Sequence, residues 1–130
     1  MALDRTIVSI GGPLAIVSGL VCATATETLT GMAGITATPS GVTDLRAVYG
    51  GFQIGLGVFL LWCRSDPARI PAGLLALGLA VGSLGALRVI GLLVDGEPNA
   101  FHAANLTIEA ATTALVAFAF AKRRTSLATA

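Results

Sequence analysis

This chain predicts an all-α fold, a four-transmembrane-helix antiparallel bundle, and three observations support it. Hydrophobic residues fill 55% of the 130 positions and charged residues 12%, with a mean hydropathy of +0.85, a balance rare in water-soluble domains of this size. Four apolar segments, at 7–25, 45–63, 70–94 and 101–121, each approach the ~20 residues a helix needs to cross hydrocarbon. The run Leu74-Leu75-Ala76-Leu77-Gly78-Leu79-Ala80-Val81 is apolar on every side, whereas the strands of a membrane barrel alternate apolar and polar residues. One transmembrane domain, 1–125, therefore accounts for the chain, with a disordered tail expected at 126–130.

The first segment contains Gly11-Gly12-Pro13. Proline removes a backbone donor and restricts the residue before it, so the helix is expected either to start or to bend there. Its short basic start, apolar centre and Ala23-Thr24-Ala25 also imitate a cleavable signal peptide, although a single Arg5 offset by Asp4 argues for a retained span. Cys22 is expected in the core.

Residues Thr26 to Thr43 read as a loop rich in Thr, Gly and Ala, with Met32 to Thr36 at the membrane interface. Pro39-Ser40-Gly41 is a turn signal there, and Thr43-Asp44 offers N-cap chemistry to the second helix. The connection Arg64-Ser65-Asp66-Pro67-Ala68-Arg69 is short and polar, which makes helices two and three antiparallel neighbours and puts Pro71 in the first turn of helix three. Asp95-Gly96-Glu97-Pro98-Asn99 reads as a turn, with Asn99 placed to cap helix four. Gly51 with Gly55, and Gly78 with Gly82, repeat at four residues and are expected to form grooves for close packing inside the bundle, or else a dimer face.

Charge fixes the expected orientation. Arg5, then Arg64 and Arg69, then Lys122-Arg123-Arg124 fall on one side of four alternating spans, while Glu27, Asp44, Asp95 and Glu97 fall on the other. Basic residues are retained in the cytoplasm, so both termini are expected there. The net charge of +1 leaves no basic surface for nucleic acid. Cys22 and Cys63 sit at opposite ends of their spans, too far apart for a disulfide. One histidine with scattered carboxylates offers no transition-metal or haem site, and neither a phosphate loop nor a nucleophile elbow is present, so no cofactor is expected.

What remains is an unusual polar set inside the apolar segments. Residues three, four and seven apart share a helical face, which groups Arg46, Tyr49 and Gln53 on helix two and His102, Asn105 and Glu109 on helix four. Arg88 of helix three and Glu109 lie at similar depths, each on the order of 10 Å from its outer helix end at 1.5 Å of rise per residue. A lone charge at that depth costs ~2.5–3.5 kcal/mol on insertion scales, so the two are expected to pair within the bundle. An ion pair alone would be structural. Arg46, Gln53, His102 and Asn105 exceed what one pair needs, and that surplus suits a polar pocket in the outer half of the bilayer. Two guanidiniums would favour anionic or carbonyl oxygens, and a carboxylate with an imidazole can move a proton.

The run Asp44-Leu45-Arg46-Ala47-Val48-Tyr49-Gly50-Gly51 with Gly55 and Gly57, then Arg88-Val89-Ile90-Gly91, Asp95-Gly96, Pro98, His102 and Glu109, resembles an uncharacterised family of small bacterial four-span integral membrane proteins, catalogued as a domain of unknown function. The resemblance covers nearly the whole chain and implies a four-helix fold in a bacterial inner membrane; it transfers no activity to any residue. Three roles suit these residues. The leading one binds a small amphipathic molecule or lipid headgroup at Arg46, Tyr49, Gln53, Arg88, His102, Asn105 and Glu109, with catalysis by proton transfer left open. The alternatives are an accessory subunit of a larger membrane complex, or a homo-oligomer, with a purely structural ion pair, and a proton or ion path through Glu109 and His102. The lipid bilayer is an expected partner in all of them.

Overall fold

The computed structural model describes residues 2–96 and 98–128; Glu97 of the last connection and residues 129–130 of the tail lie outside them. In chain order the elements are α1 (Ala2–Thr24), α2 (Thr26–Met32), α3 (Pro39–Leu45), a π-helical turn (Arg46–Gly51), α4 (Phe52–Arg64), a 3-10 turn (Pro67–Arg69), α5 (Ile70–Asp95) and α6 (Ala100–Ala128). Four stretches, the first to fourth spans, are long and apolar enough to cross a membrane: Leu3–Thr24, Pro39–Arg64, Pro67–Asp95 and Ala100–Arg123. The end carrying Arg5, Arg64, Arg69 and Arg123 is the basic end, and the end carrying Glu27, Asp44 and Asp95 is the acidic end.

Three boundaries differ from the sequence expectation. Helix α1 begins at Ala2, so Pro13 is an interior residue rather than a starting point. The second span begins six residues before Leu45: Thr38 Oγ1 accepts from the Gly41 N–H at 3.3 Å and Pro39 occupies the first turn, so Thr38-Pro39 is a cap followed by a helix-starting proline. Thr43 instead donates to the Pro39 carbonyl at 3.2 Å. The expected loop after α1 contains a helix, α2, that follows a one-residue break at Ala25.

Threonines are weak helix formers in isolation, yet here their hydroxyls are absorbed by the helix itself. Thr26 Oγ1 donates to the Cys22 carbonyl at 2.6 Å and Thr30 Oγ1 to the Thr26 carbonyl at 3.0 Å, the back-bonding pattern that satisfies a buried hydroxyl. The end of α2 is a Schellman motif: Gly34 N–H donates to the Gly31 carbonyl at 3.0 Å and Ile35 N–H to the Thr30 carbonyl at 2.8 Å. Gly34 adopts φ 79° there, a left-handed conformation that glycine takes at little cost.

Other expected features hold. Pro71 lies in the first turn of α5. Asn99 Oδ1 accepts from the His102 N–H at 2.9 Å, capping α6. Asn99→Ala is expected to cost about 1 kcal/mol of stability, read as a lower midpoint in detergent-mediated unfolding.

Glycine packing joins the spans in pairs. The first two meet through residues seven apart on each: a Cβ on Gly19 would lie 2.7 Å from the Gly50 carbonyl oxygen, and one on Gly57 would lie 2.6 Å from that of Gly12. These are backbone-to-backbone approaches that only glycine permits. Gly51 and Gly55, expected in such a groove, have nothing within 4 Å of where a Cβ would stand; the packed positions fall on another face of the same helix. Between the last two spans, Gly78, Gly82 and Gly85 face Val116, Thr113 and Glu109.

The hydrophobic core is gathered at the basic end, where Ile7, Val8, Leu60, Cys63, Leu74 and Ala119 belong to one buried cluster. Asp4, 3% exposed, meets Arg123 at 3.5 Å and ties the first helix to the last. Arg69 lies over the Trp62 ring at 4.1 Å, an arrangement suited to a membrane-water boundary. No described residue of α5 beyond Leu77 is buried, so the third span packs loosely toward the acidic end. Leu79, Leu87 and Leu93 stand exposed on the outside, an apolar surface that lipid, rather than water, covers.

Candidate functional site

The acidic end holds a partly open cavity of about 630 Å³ between all four spans and α2. The walls are mainly apolar, including Val21, Leu29, Leu45, Leu84 and Phe101, and the polar groups converge on one side. Six of the seven expected site residues line it: Tyr49, Gln53, Arg88, His102, Asn105 and Glu109.

Arg88 is the hub. Its Nε donates to Glu109 Oε1 and Oε2 at 3.2 and 3.0 Å, and Nη2 donates to Oε1 at 2.8 Å. Nη1 lies 3.2 Å from His102 Nδ1. A guanidinium has no acceptor, so in this contact Nδ1 offers its lone pair and the imidazole carries its proton on Nε2. The side chains are 22% and 10% exposed for Arg88 and Glu109, a pair largely withdrawn from its surroundings. Gly85, one turn before Arg88, makes room for it, since a Cβ there would stand 3.3 Å from Glu109 Cβ.

The remaining groups are held less tightly. Asn105 Nδ2 donates to the Phe101 carbonyl at 2.8 Å, and Gln53 Nε2 approaches Cys22 Sγ at 3.7 Å. Tyr49 is partly exposed at the wall. Cys22, expected in the core, lines the cavity. Among the described residues, no buried side-chain nitrogen or oxygen lacks a hydrogen-bond partner.

Arg46 stands apart. Its side chain is directed at the end of α1, where Nε donates to the Ala23 carbonyl at 2.8 Å; a cation there also complements the negative end of the helix dipole. The cause is the π turn. In an unbroken α-helix, residues 46, 49 and 53 share a face, but the one extra residue of a π turn rotates the helix on its N-terminal side by roughly 100° relative to the helix on its C-terminal side. The stripe facing the cavity is therefore Leu45, Tyr49 and Gln53, at intervals of four. Gly50 and Gly51 close the π segment, and the Leu-Arg-Ala-Val-Tyr-Gly-Gly run is nearly coextensive with it.

Sequence reasoning missed the α2 contribution. Thr26, Leu29, Thr30 and Ala33 all line the cavity, and their offsets of three, four and seven are a helical stripe that continues from Cys22. The spacing was present, hidden by a composition that suggests a loop. No group of three or more metal-ligating side chains occurs among the described residues.

No curated protein and no solved structure matches the chain. A family model described as a domain of unknown function, DUF4345, matches residues 4–120, nearly all of the four spans and every residue of the cavity wall. The chain belongs to the DUF4345 family.

Proposed function

We propose that this chain is a multi-pass protein of a bacterial inner membrane whose cavity, in the extracytoplasmic half, takes a small amphipathic molecule or lipid headgroup. The carrying observation is the contrast between the two ends. The basic end is filled by apolar side chains, whereas the acidic end keeps about 630 Å³ open beside Arg88, Glu109 and His102. That volume falls within the ~300–1,000 Å³ usual for small-molecule sites, and mostly apolar walls with a few convergent polar groups are their usual lining. The basic residues at one end support cytoplasmic termini, and the resemblance to small bacterial membrane proteins supports the compartment.

The test is native mass spectrometry of the full chain extracted from its own membranes. A retained molecule of defined mass is expected on the wild type and absent from an Arg88→Leu/Glu109→Met double variant that still folds. Retention that is equal in both contradicts the reading. One observation favours a second role: Gly51 and Gly55 leave an open notch of small residues on the outside of the second span, which suits a helix of a partner protein or another copy. An added protein mass, with no small molecule, would support that role instead.

A further inference from the structure

The charge and hydrogen-bond inventory of the cavity narrows what it accepts. Among the described residues only one guanidinium lines it, because Arg46 is turned to the Ala23 carbonyl. That guanidinium is already neutralised by Glu109 through Nε and Nη2, and His102, accepting from Arg88 through Nδ1, adds no charge. The formal charge of the wall is then zero. Glu27, Asp44 and Asp95 outnumber Arg46 at the same end of the bundle, so an arriving anion meets net negative charge at the approach and no uncompensated cation in the wall. A cation finds no uncompensated carboxylate in the wall, since Glu109 is taken by Arg88. Either ion would surrender its hydration without a counter-charge.

Donors, by contrast, remain. Of the five N–H groups of a guanidinium, Arg88 directs three at Glu109 and His102, leaving one on Nη1 and one on Nη2 without a partner among the described residues. His102 also carries its Nε2 proton. The Glu109 carboxylate, the strongest acceptor of the wall, is occupied by Arg88.

Resting on the proposed cavity function, we infer that the guest is an uncharged amphiphile whose head presents a carbonyl oxygen to the spare Arg88 and His102 donors, with its apolar body against Leu29, Leu84 and Phe101. An ester, ketone or amide head meets this requirement, while a fatty acid or a phosphate headgroup does not.

Four probes with the same chain length separate the cases: dodecan-2-one, dodecanoate, dodecyltrimethylammonium and dodecane, each titrated at equal mole fraction into the full chain in dodecyl maltoside micelles, with the thermal midpoint as readout. A ligand that binds only the folded state raises that midpoint by mass action. Dodecan-2-one is expected to raise it at a concentration at least about tenfold below that required by any other probe. His102→Leu, compared with its own unliganded midpoint, is expected to weaken the ketone response about tenfold, the loss of one good hydrogen bond. Stronger stabilisation by dodecanoate or by the ammonium, or a response to dodecane equal to that of the ketone, overturns the inference and leaves a binding cavity in place. No response to any of the four, together with no retained molecule on protein from native membranes, overturns the cavity reading itself and the inference with it.

Discussion

Glu109→Leu is expected to destabilise the bundle by roughly 3–5 kcal/mol, the range for removing one partner of a buried pair. Glu109 is 8% exposed and receives three donations from Arg88. Without it the guanidinium keeps its charge, and its remaining contact is His102, a neutral acceptor. The opposite deletion, Arg88→Leu, should be milder, because a carboxyl group deprived of its partner has the option of binding a proton and a guanidinium does not. Replacing both, by Arg88→Leu with Glu109→Met, should recover most of the loss, since apolar side chains of similar volume serve such a position as well as the ions do. The check is a double-mutant cycle of unfolding free energies in mixed micelles titrated with sodium dodecyl sulfate. Equal losses in both single variants and simple addition in the double variant would contradict the pairing.

Gly57→Leu is expected to open the junction of the first two spans at a cost of roughly 3 kcal/mol, the upper end for volume forced into a packed interior. The added Cβ would meet the Gly12 carbonyl oxygen at 2.6 Å and the Ile16 backbone nitrogen at 2.9 Å. Neither atom can rotate aside, so the helices themselves must separate. Gly55→Ala provides the contrast: nothing lies within 4 Å of its Cβ position, and its effect should stay within about 0.5 kcal/mol. Gly78→Ala belongs between them, because its obstacle, Val116 Cγ1 at 2.9 Å, is a side chain with other rotamers. Unfolding midpoints of the three variants in the same micelles rank these outcomes, and a Gly55→Ala loss as large as that of Gly57→Leu would contradict the packing described.

These two results also mark where the sequence was informative. The four spans were legible because hydropathy over some twenty residues is a property of each segment alone. The Arg88 and Glu109 pairing was legible because an isolated charge in lipid has few ways to be satisfied. Asn99 was legible as a cap because its position ahead of an apolar run is local chemistry. Gly78 and Gly82 pack as their spacing suggested, but on the second span the packed glycines were not legible, since Gly50 and Gly51 are adjacent in sequence and only the register between helices selects Gly50. The position of Arg46 was hidden for a related reason: a regular helical period was applied across Arg46–Gly51, and that segment is wound more widely. Helix α2 was concealed by threonines whose hydroxyls find carbonyls within their own helix.

Arg88 and Glu109 reside on α5 and α6, which are joined by only Gly96–Asn99. The two costliest side chains of the bilayer interior are thus delivered by one helical hairpin, and each can neutralise the other as that hairpin leaves the translocation machinery. The preceding hairpin is zipped along its glycines, and its buried Asp4 meets its partner, Arg123, on the last helix. Docking of the two hairpins then does two things at once: it closes the pair of Asp4 and Arg123 at the basic end and brings together the walls of the chamber at the other.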